Sequence, residues 1–313
     1  MIRFFLLVAA APLFAQPPMA PSFYPPVRGT REMVGAANNF EVEAGYRMLM
    51  QGGNAIDAGV SSVLSAAVTE QARFGLGGEM PLLVKMAGKP VIAISAIGVA
   101  PVKATVEYYK SRSPEPWEDG SRIAPIPSHG VRAAITPGVF DGLILALDKY
   151  GTMPFAKIAE PAIEQADGFP MGEEFANFIR AGQRYLELWP VSKAFFMPNG
   201  FPKRGEIFRQ PALARTLRDL VEAERKTRGN RSRKLQAVRD YFFRGPVARK
   251  IGQASQEMGG LLAYEDLAGY KAETDEPAST TYRGYTVYKT GFWAQGPVLL
   301  QALNILEGFD LKA

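Results

Sequence analysis

The chain has 313 residues, a net charge of +5 and no cysteine, and 47% of its residues are hydrophobic. This length and composition suffice for one large hydrophobic core and are not those of a disordered or fibrous protein. The lack of cysteine excludes disulfides, thiolate nucleophiles and thiolate-bound zinc, and the single histidine excludes metal sites built from two histidines.

The first residues are typical of an export signal. Arg3 supplies a positive charge, residues 4–11 are apolar, and Leu13-Phe14-Ala15 is a candidate cleavage site, although Leu13 is not small. The apolar run is too short to span a bilayer, which takes about 20 residues, and no other stretch is longer. We predict a signal peptide at 1–15, a proline-rich segment at 16–32 and a secreted or periplasmic protein without a membrane span.

Short strands and helices alternate along the next part of the chain. Met33 to Ala37 is expected to form a short buried strand, and the apolar spacing over 41–51 predicts a helix. Gly52-Gly53 ends that helix, and Asn54 caps a second helix over 55–69. Because the second helix is nearly without charge, it must be covered on most sides.

The remaining elements predict one intertwined α/β domain over 33–313. A tight loop at Gly75 to Gly78 leads into a hairpin of buried strands over 82–85 and 91–95. Further helices are expected over 138–150, 154–167, 172–188, 210–226, 234–242 and 246–257, followed by a strand over 282–289 and a last helix from Pro297 to Leu306. The apolar residues of the last helix are Val298, Leu299, Ala302, Leu303 and Leu306. They need cover from earlier elements or from a second polypeptide.

Two features could carry chemistry by themselves, and each has a simpler interpretation. His129 lies in Ile-Pro-Ser-His-Gly at 126–130, which is typical of a loop, and the chain contains no Gly-x-Ser-x-Gly elbow. We therefore favour a structural or solvated histidine over a member of a catalytic triad. The basic run from Arg225 to Lys234 has no interleaved aromatic residues to stack on bases, which favours a solvated surface over a nucleic-acid site.

Three groups of motifs, in order along the chain, resemble the gamma-glutamyltransferase family. The first comprises Met-Val-Gly-Ala-Ala-Asn at 33–38, Gly-Gly-Asn-Ala-Ile-Asp-Ala at 52–58 and Gly-Leu-Gly-Gly at 75–78. The second comprises Pro-Gly-Val at 137–139, Lys-Tyr-Gly-Thr-Met-Pro at 149–154 and Glu-Pro-Ala-Ile at 160–163. The third comprises Phe-Arg-Gln-Pro at 208–211, Gly-Gly-Leu-Leu at 259–262, Glu-Asp-Leu at 265–267 and Tyr-Arg-Gly-Tyr at 282–285.

Many residues of these motifs are expected to have a structural role. Asp57 lies in the first turn of its helix, where a carboxylate suits the helix dipole, and this is expected to be its whole role. Gly75, Gly77 and Gly78 allow close approach of the backbone. A phosphate-binding loop is disfavoured, because a helix precedes the glycines and Glu-Met-Pro follows them at 79–81.

The resemblance implies an N-terminal-nucleophile hydrolase with a four-layer α/β/β/α sandwich and a helical lobe, made as a proenzyme that cuts itself into large and small subunits. This chain corresponds to the large subunit. The nucleophile would be the N-terminal threonine of the small subunit, with its own α-amino group as base. On this basis no catalytic residue lies in this chain, no metal or cofactor is needed, and the partners are a small-subunit half and a small gamma-glutamyl or acyl amide.

One family contact falls within the chain and departs from the pattern. The family has an Asp-x-Arg-Glu-x-Ala-Pro stretch whose arginine holds the α-carboxylate of the glutamyl group. Here Ile97 stands at the arginine position, within Ser-Ala-Ile-Gly-Val-Ala-Pro at 95–101. Isoleucine cannot make the bidentate contact, which points to a more apolar acyl group. Glu-Met-Pro at 79–81 and Trp-Ala-Gln-Gly-Pro at 293–297 also replace glycine-rich runs.

Arg73, just before the glycine loop, is the candidate substitute for the missing arginine. Its simpler interpretation is an arginine that braces a loop or faces solvent. The leading hypothesis is therefore a secreted amidohydrolase or acyltransferase that acts on glutathione-type or other acyl amides and needs its second half. The alternatives are an acylase with a non-glutamyl substrate, and a non-catalytic secreted homologue that binds a ligand or partner.

Overall fold

The computed structural model describes residues 27–71, 73–118 and 124–311. The predicted signal peptide at 1–15 lies outside these residues. The chain divides after Met33 into two units. Residues 27–33 contain no helix or strand and are mostly exposed. The helices and strands belong to the unit that begins at Val34.

Helices dominate the part of the chain that the structure describes. They are α1 (Asn39–Met50), α2 (Ala55–Thr69), α3 (Val106–Ser111), α4 (Val139–Tyr150), α5 (Phe155–Asp167), α6 (Glu173–Ala181), α7 (Gln183–Leu186), α8 (Pro190–Phe196), α9 (Pro211–Lys226), α10 (Arg231–Phe243), α11 (Pro246–Glu257), α12 (Tyr264–Gly269) and α13 (Gly296–Glu307). The strands are β1 (Met80–Lys85), β2 (Val91–Ala96), β3 (Phe169–Pro170), β4 (Ile207–Phe208), β5 (Glu273–Asp275), β6 (Ala278–Tyr282) and β7 (Tyr285–Lys289).

Five helices close into a ring around the main core. α2 packs on α5, α5 on α9, α9 on α10, α10 on α4, and α4 on α2, while α1 covers another face of α2. Phe140, Leu143 and Ile144 of α4 are almost completely buried. Helices therefore form one side of the core. On the other side, α4 packs against β2, which belongs to a small sheet.

The uncharged helix α2 has the predicted bounds and the predicted cover. The Asn54 side chain accepts hydrogen bonds from the N–H groups of Ile56 and Asp57, which fixes the start of the helix. The polar residues on its buried faces are satisfied, since the Ser61 hydroxyl donates to the Ile158 carbonyl at 3.0 Å and that of Ser65 to Gln165 at 2.7 Å. Burial of serine on several faces is possible because each hydroxyl has a partner.

The predicted hairpin is confirmed and belongs to a three-stranded antiparallel sheet with the order β1-β2-β5. Met80 of β1 pairs with Ala96 of β2, and Ala93 of β2 pairs with Asp275 of β5. Gly142 lets α4 approach this sheet, because a Cβ there would lie 2.9 Å from the Met80 side chain. The sheet and α4 thus hold the residues that follow β2 in position.

Three sequence predictions were wrong. Met33 to Ala37 forms no strand, and no strand of the described residues pairs with it. The single helix expected over 172–188 ends at Ala181, and a second, short helix, α7, begins after Gly182. Glycine favours this break because it loses more conformational entropy in a helix than other residues do. The strand expected over 282–289 is the second half of a β6–β7 hairpin, which turns at Arg283 and Gly284 with φ of 48° and 84°.

The last helix lies on this hairpin rather than on the ring of helices. α13 contacts β6 and β7. Its Leu300 is buried, but two residues of the predicted apolar face, Val298 and Leu299, are 66% and 44% exposed. The apolar face predicted to need cover is therefore only partly covered within the described part of the chain. No helix there combines the length and apolar character needed to cross a membrane.

Candidate substrate site

The glycine loop links the end of α2 to the start of α4. The Gly78 N–H donates to the Gly75 carbonyl at 2.9 Å, which closes the turn. The Gly78 carbonyl in turn accepts from the N–H groups of Gly138 and Val139, at 3.0 and 3.1 Å. Close approach is confirmed for Gly78, whose Cβ would lie 3.1 Å from Gly75, whereas a Cβ on Gly77 would meet nothing within 4 Å.

Ile97 lies in the segment that leaves β2, and its backbone is held from three directions. Its carbonyl accepts a hydrogen bond from the Tyr270 hydroxyl at 2.9 Å. The next N–H, that of Gly98, donates to the Glu79 carboxylate at 3.0 Å. Val99 then pairs with Thr136 in an isolated bridge, in which the Thr136 N–H donates to the Val99 carbonyl at 2.9 Å.

Two glycines allow this crowding. A Cβ on Gly98 would lie 2.6 Å from the Thr136 carbonyl oxygen, and one on Gly138 would lie 2.7 Å from the carbonyl carbon of Ala96. Real Cβ atoms do not approach backbone atoms so closely, so both positions require glycine. The family motif Pro-Gly-Val thus serves to bring the start of α4 against the end of β2.

Burial and nearby negative charges both act on the Tyr270 hydroxyl at this place. Burial, followed by the charges of Asp141, Glu79 and Glu273, raises the pKa of Tyr270 to about 12. Asp141 is neutralised by a buried ion pair with Arg239. Glu79 and Glu273 have no ion-pair partner in the described part of the chain. The Ile97 segment therefore carries a negative field, which is the opposite of what an arginine at this position would supply.

Arg73 lies in different surroundings from Ile97. It is exposed, and its guanidinium forms an ion pair with Glu174 at the start of α6. It borders a cavity of about 390 Å³, which the polar residues Asn38 and Glu70 also line and Ile97 does not. Within the described part of the chain, no hydrogen bond or ion pair joins Arg73 to the Ile97 segment, and its charge is already matched by Glu174.

A second cavity begins three residues after Ile97. It has a volume of about 710 Å³. Its walls are formed mainly by apolar side chains of two segments: Ala100, Pro101, Ala104, Val106, Tyr109, Pro125, Ile126, Ala133, Ala134 and Ile135. Lys110 and Arg112 lie at its edge, and Arg112 is occupied by a bidentate pair with Glu118 at 2.7 and 2.8 Å. The cavity can take an apolar group of substantial size.

His129 lies in a loop, as its sequence context predicts, and it packs against aromatic residues. Its ring stacks on that of Tyr185 with centroids 3.9 Å apart, and its Nδ1 is 2.7 Å from the Ser128 hydroxyl. Trp117 and Trp189 complete the group, with centroids 5.3 Å apart. No carboxylate contacts the histidine in the described part of the chain, so the Ser128–His129 contact is not a catalytic triad.

The basic run from Arg225 to Lys234 is mostly solvated, with one exception. Arg225 and Lys226 pair with Glu222 on the surface of α9. Arg231 instead turns inward, and its guanidinium donates to the carbonyls of Leu147 and Met153 at 2.9 and 3.0 Å. It satisfies the Leu147 carbonyl in the last turn of α4 and the Met153 carbonyl in the turn that follows, which is a structural role.

Asp57 does more than the predicted helix-dipole interaction. It is fully buried and accepts from the Asn54 N–H, which completes a capping box, and also from Thr152 and Met153 after α4. Burial alone would raise the pKa of Asp57, but hydrogen bonds led by that from the Thr152 hydroxyl, at 2.6 Å, lower it. Asp57 therefore ties α2 to the α4–α5 turn.

Sequence reasoning did not find Tyr270, and it found Glu79 only as a departure from a motif. Tyr270 is 173 residues from its partner Ile97. It lies three residues after the Glu-Asp-Leu motif at 265–267, where an aromatic residue gives no distinct signal. Among the described residues, no group of three His, Asp or Glu side chains is placed to hold a metal ion.

Comparison with known proteins identifies the family. The gamma-glutamyltranspeptidase family model matches residues 42–313. The glutathione hydrolase proenzyme of Escherichia coli is 36% identical over 309 residues, which are 95% of this chain and 50% of that protein. The acylase ACY 1 proenzyme of Pseudomonas sp. strain SE83 is 31% identical over 91% of this chain and 49% of its own length.

Similarity of structure points to the same family. The crystal structure of Helicobacter pylori gamma-glutamyltranspeptidase superposes with a TM-score of 0.80 at 27% identity, covering 91% of this chain and 78% of that one. The chain belongs to the gamma-glutamyltranspeptidase family and corresponds to the N-terminal part of its members. The predicted N-terminal-nucleophile hydrolase fold is confirmed. The chain spans about half the length of the curated relatives that it matches.

Proposed function

We propose that this chain is the large-subunit part of a secreted or periplasmic enzyme that hydrolyses or transfers the acyl group of amides. A small-subunit half carries the nucleophilic threonine and completes the site. Membership of a family whose relatives include a glutathione hydrolase and an acylase supports this reaction class. The partly exposed apolar face of α13 supports a second polypeptide, because obligate interfaces resemble a core cut in half.

The acyl group that we propose lacks the α-carboxylate of a gamma-glutamyl group. The single observation that carries this proposal is Ile97, which stands where the family has its carboxylate-binding arginine. The structure supports no replacement by Arg73, whose guanidinium is paired with Glu174. A buried carboxylate left without a cation costs several kcal/mol. The apolar cavity of about 710 Å³ that starts at Ala100 supplies room for an apolar acyl group instead.

The test uses the full-length proenzyme and two amides with the same leaving group. One is glutathione-like and carries the α-carboxylate, and the other has a hydrogen atom in its place. Wild type should show the higher kcat/KM for the amide without the carboxylate. Ile97→Arg should shift the ratio toward the carboxylate-bearing amide by roughly tenfold or more, as expected for a charge-assisted contact. Arg73→Ala should leave the ratio unchanged.

The outcomes separate the hypotheses. Efficient glutathione turnover by wild type that survives Arg73→Ala would show that another part of the protein holds the carboxylate, and the substrate proposal would fail. A correctly folded, unprocessed protein without activity on either amide would support the non-catalytic homologue. Residues 16–313 alone should release no product above a buffer blank. Sequencing of the exported protein from its N-terminus tests the proposed cleavage after Ala15.

A further inference from the structure

The carboxylate of Glu79 lies at the same segment as Ile97 and is exposed. One of its oxygens accepts the Gly98 N–H at 3.0 Å, and Gly98 directly follows Ile97. Its other oxygen contacts no donor in the described part of the chain. A negative charge is therefore fixed within one residue of the position where the family places a positive one.

We propose that Glu79 is a specificity-determining residue, which disfavours an acyl group with a carboxylate and favours one with a positively charged amine at the same place. This inference rests on the proposed function, since it assumes that the Ile97 segment borders the acyl group. It goes beyond that function because it assigns to Glu79 both the rejection of acyl groups with a carboxylate and the selection of acyl groups with a positively charged amine. Discrimination of this kind often combines a repulsive with an attractive element.

The surroundings leave the charge of Glu79 unbalanced. Neither Glu79 nor the nearby Glu273 forms an ion pair in residues 27–71, 73–118 and 124–311, and Arg73 is engaged by Glu174. The field of Glu79 reaches the Tyr270 hydroxyl that holds the Ile97 carbonyl, since it contributes to the raised pKa of Tyr270. An incoming carboxylate would meet like charge here, and an ammonium group would meet opposite charge.

A second polar group at the same segment lacks a partner. The hydroxyl of Thr136 is completely buried and makes no hydrogen bond, although the Thr136 backbone is bridged to Val99. Buried polar atoms without partners are rare, and each calls for an explanation. Because this hydroxyl is closed off from the surface, the charge of Glu79 is the feature of the segment that an incoming substrate would meet.

The charge of Glu79 is not needed to hold the backbone. A glutamine would offer a carbonyl oxygen to the Gly98 N–H in the same geometry. Glu79→Gln therefore keeps the hydrogen bond and removes only the charge. Two unit charges a few ångströms apart near a protein surface interact strongly enough to change a rate constant by about tenfold.

The experiment uses the full-length proenzyme and three amides that share a skeleton and a leaving group. They carry a carboxylate, a methyl group or an ammonium group at the same carbon atom. In wild type, kcat/KM should follow the order ammonium, methyl, carboxylate. In Glu79→Gln, the ratio of kcat/KM for the ammonium amide to that for the carboxylate amide should fall by about tenfold or more. Glu257→Gln, which changes an exposed carboxylate on α11, is the matched control and should keep the wild-type ratio.

A change in that ratio of less than about twofold in Glu79→Gln would overturn the inference while leaving the proposed function intact. If Glu79→Gln fails to fold, the salt dependence of wild type decides, because added salt screens exposed charges. The ratio should fall as salt is raised, and a ratio that does not respond would also overturn the inference. If processed wild type cleaves none of the three amides, the proposed function itself fails, and this inference fails with it.

Discussion

Asp141 and Arg239 form the buried ion pair on which the substrate segment depends most. Their side chains are 4% and 9% exposed. Asp141 accepts from the Arg239 guanidinium at 3.1 Å and from the Ala272 N–H at 2.7 Å, and Arg239 also donates to the Tyr270 carbonyl at 2.6 Å. Asp141→Asn would leave the buried guanidinium with only the half-exposed Asp240, 3.5 Å away, as a counter-charge. We expect a loss of about 3 kcal/mol in the free energy of unfolding, the lower end of the range for a broken buried pair.

The loss of stability in Asp141→Asn should exceed the loss caused by removing the hydrogen bond between the Tyr270 hydroxyl and the Ile97 carbonyl. Tyr270→Phe removes only the hydroxyl that donates to the Ile97 carbonyl, which is worth about 1 kcal/mol. Replacing both charged partners, in Asp141→Asn with Arg239→Met, should be less damaging than Asp141→Asn alone. The reason is that no charge then remains buried and unpaired.

The assay is urea unfolding of the full-length protein followed by circular dichroism. Lys157→Gln is the control, because it breaks an exposed pair with Glu160 at 3.2 Å and should cost less than about 0.5 kcal/mol. A loss below about 1 kcal/mol for Asp141→Asn would refute the reasoning. It would mean that water reaches the pair or that Asp240 alone compensates the charge of the guanidinium.

Three further predictions concern single carboxylates, each measured by the same unfolding assay. Glu224→Ala should cost roughly 2–3 kcal/mol, because the buried Glu224 carboxylate accepts both N–H groups at the start of α5, each at 2.8 Å. Asp57→Asn should cost a similar amount, because its amide would face N–H and hydroxyl donors. Arg112 and a backbone N–H lower the pKa of Glu118 from 4.5 to about 2. The stability advantage of wild type over Glu118→Gln should be complete above about pH 4.5 and lost as the pH falls toward 2.

Control variants and contrary results test the reasoning behind these predictions. Glu222→Gln changes the exposed face of α9 and should behave as wild type; an equal loss in Glu222→Gln and Glu224→Ala would contradict the capping role. For Asp57, the control is Asp148→Asn, which alters an exposed carboxylate near the end of α4. For Glu118, an advantage that persists unchanged at pH 2 would show that its carboxyl group does not titrate in this range.

Local signals predicted the elements whose ends are encoded by neighbouring residues. α2 begins and ends as predicted, since Asn54 caps it and Gly52-Gly53 separates it from α1. α10 begins three residues earlier than predicted because Asn230 caps it, a signal hidden within the basic run. The β6–β7 hairpin was missed because Arg283 adopts a positive φ, which its residue type disfavours.

Residues of the candidate site could be proposed from the sequence only where a family motif marks them. Ile97 was proposed from its place in a stretch that resembles the family's carboxylate-binding motif. Its contacts were not found, because Glu79 and Tyr270 reach this segment through the turn of the chain around α4 and not through any local pattern. The same holds for the Asp141–Arg239 pair, whose members are 98 residues apart. Hydrophobic periodicity identifies which faces are buried but does not specify which charged groups meet there.

The start of α5 has a consequence for how the molecule opens. Pro154 at that end offers no side-chain hydrogen bond, and the N–H groups of the first two residues are instead held by Glu224 from α9, the neighbouring helix of the ring. The amide hydrogens of Phe155 and Ala156 can therefore exchange with solvent once α9 moves away, even if the rest of α5 stays helical. The rate of deuterium uptake at these two amides, which belong to α5, therefore measures how often α9 separates from α5 in the native state.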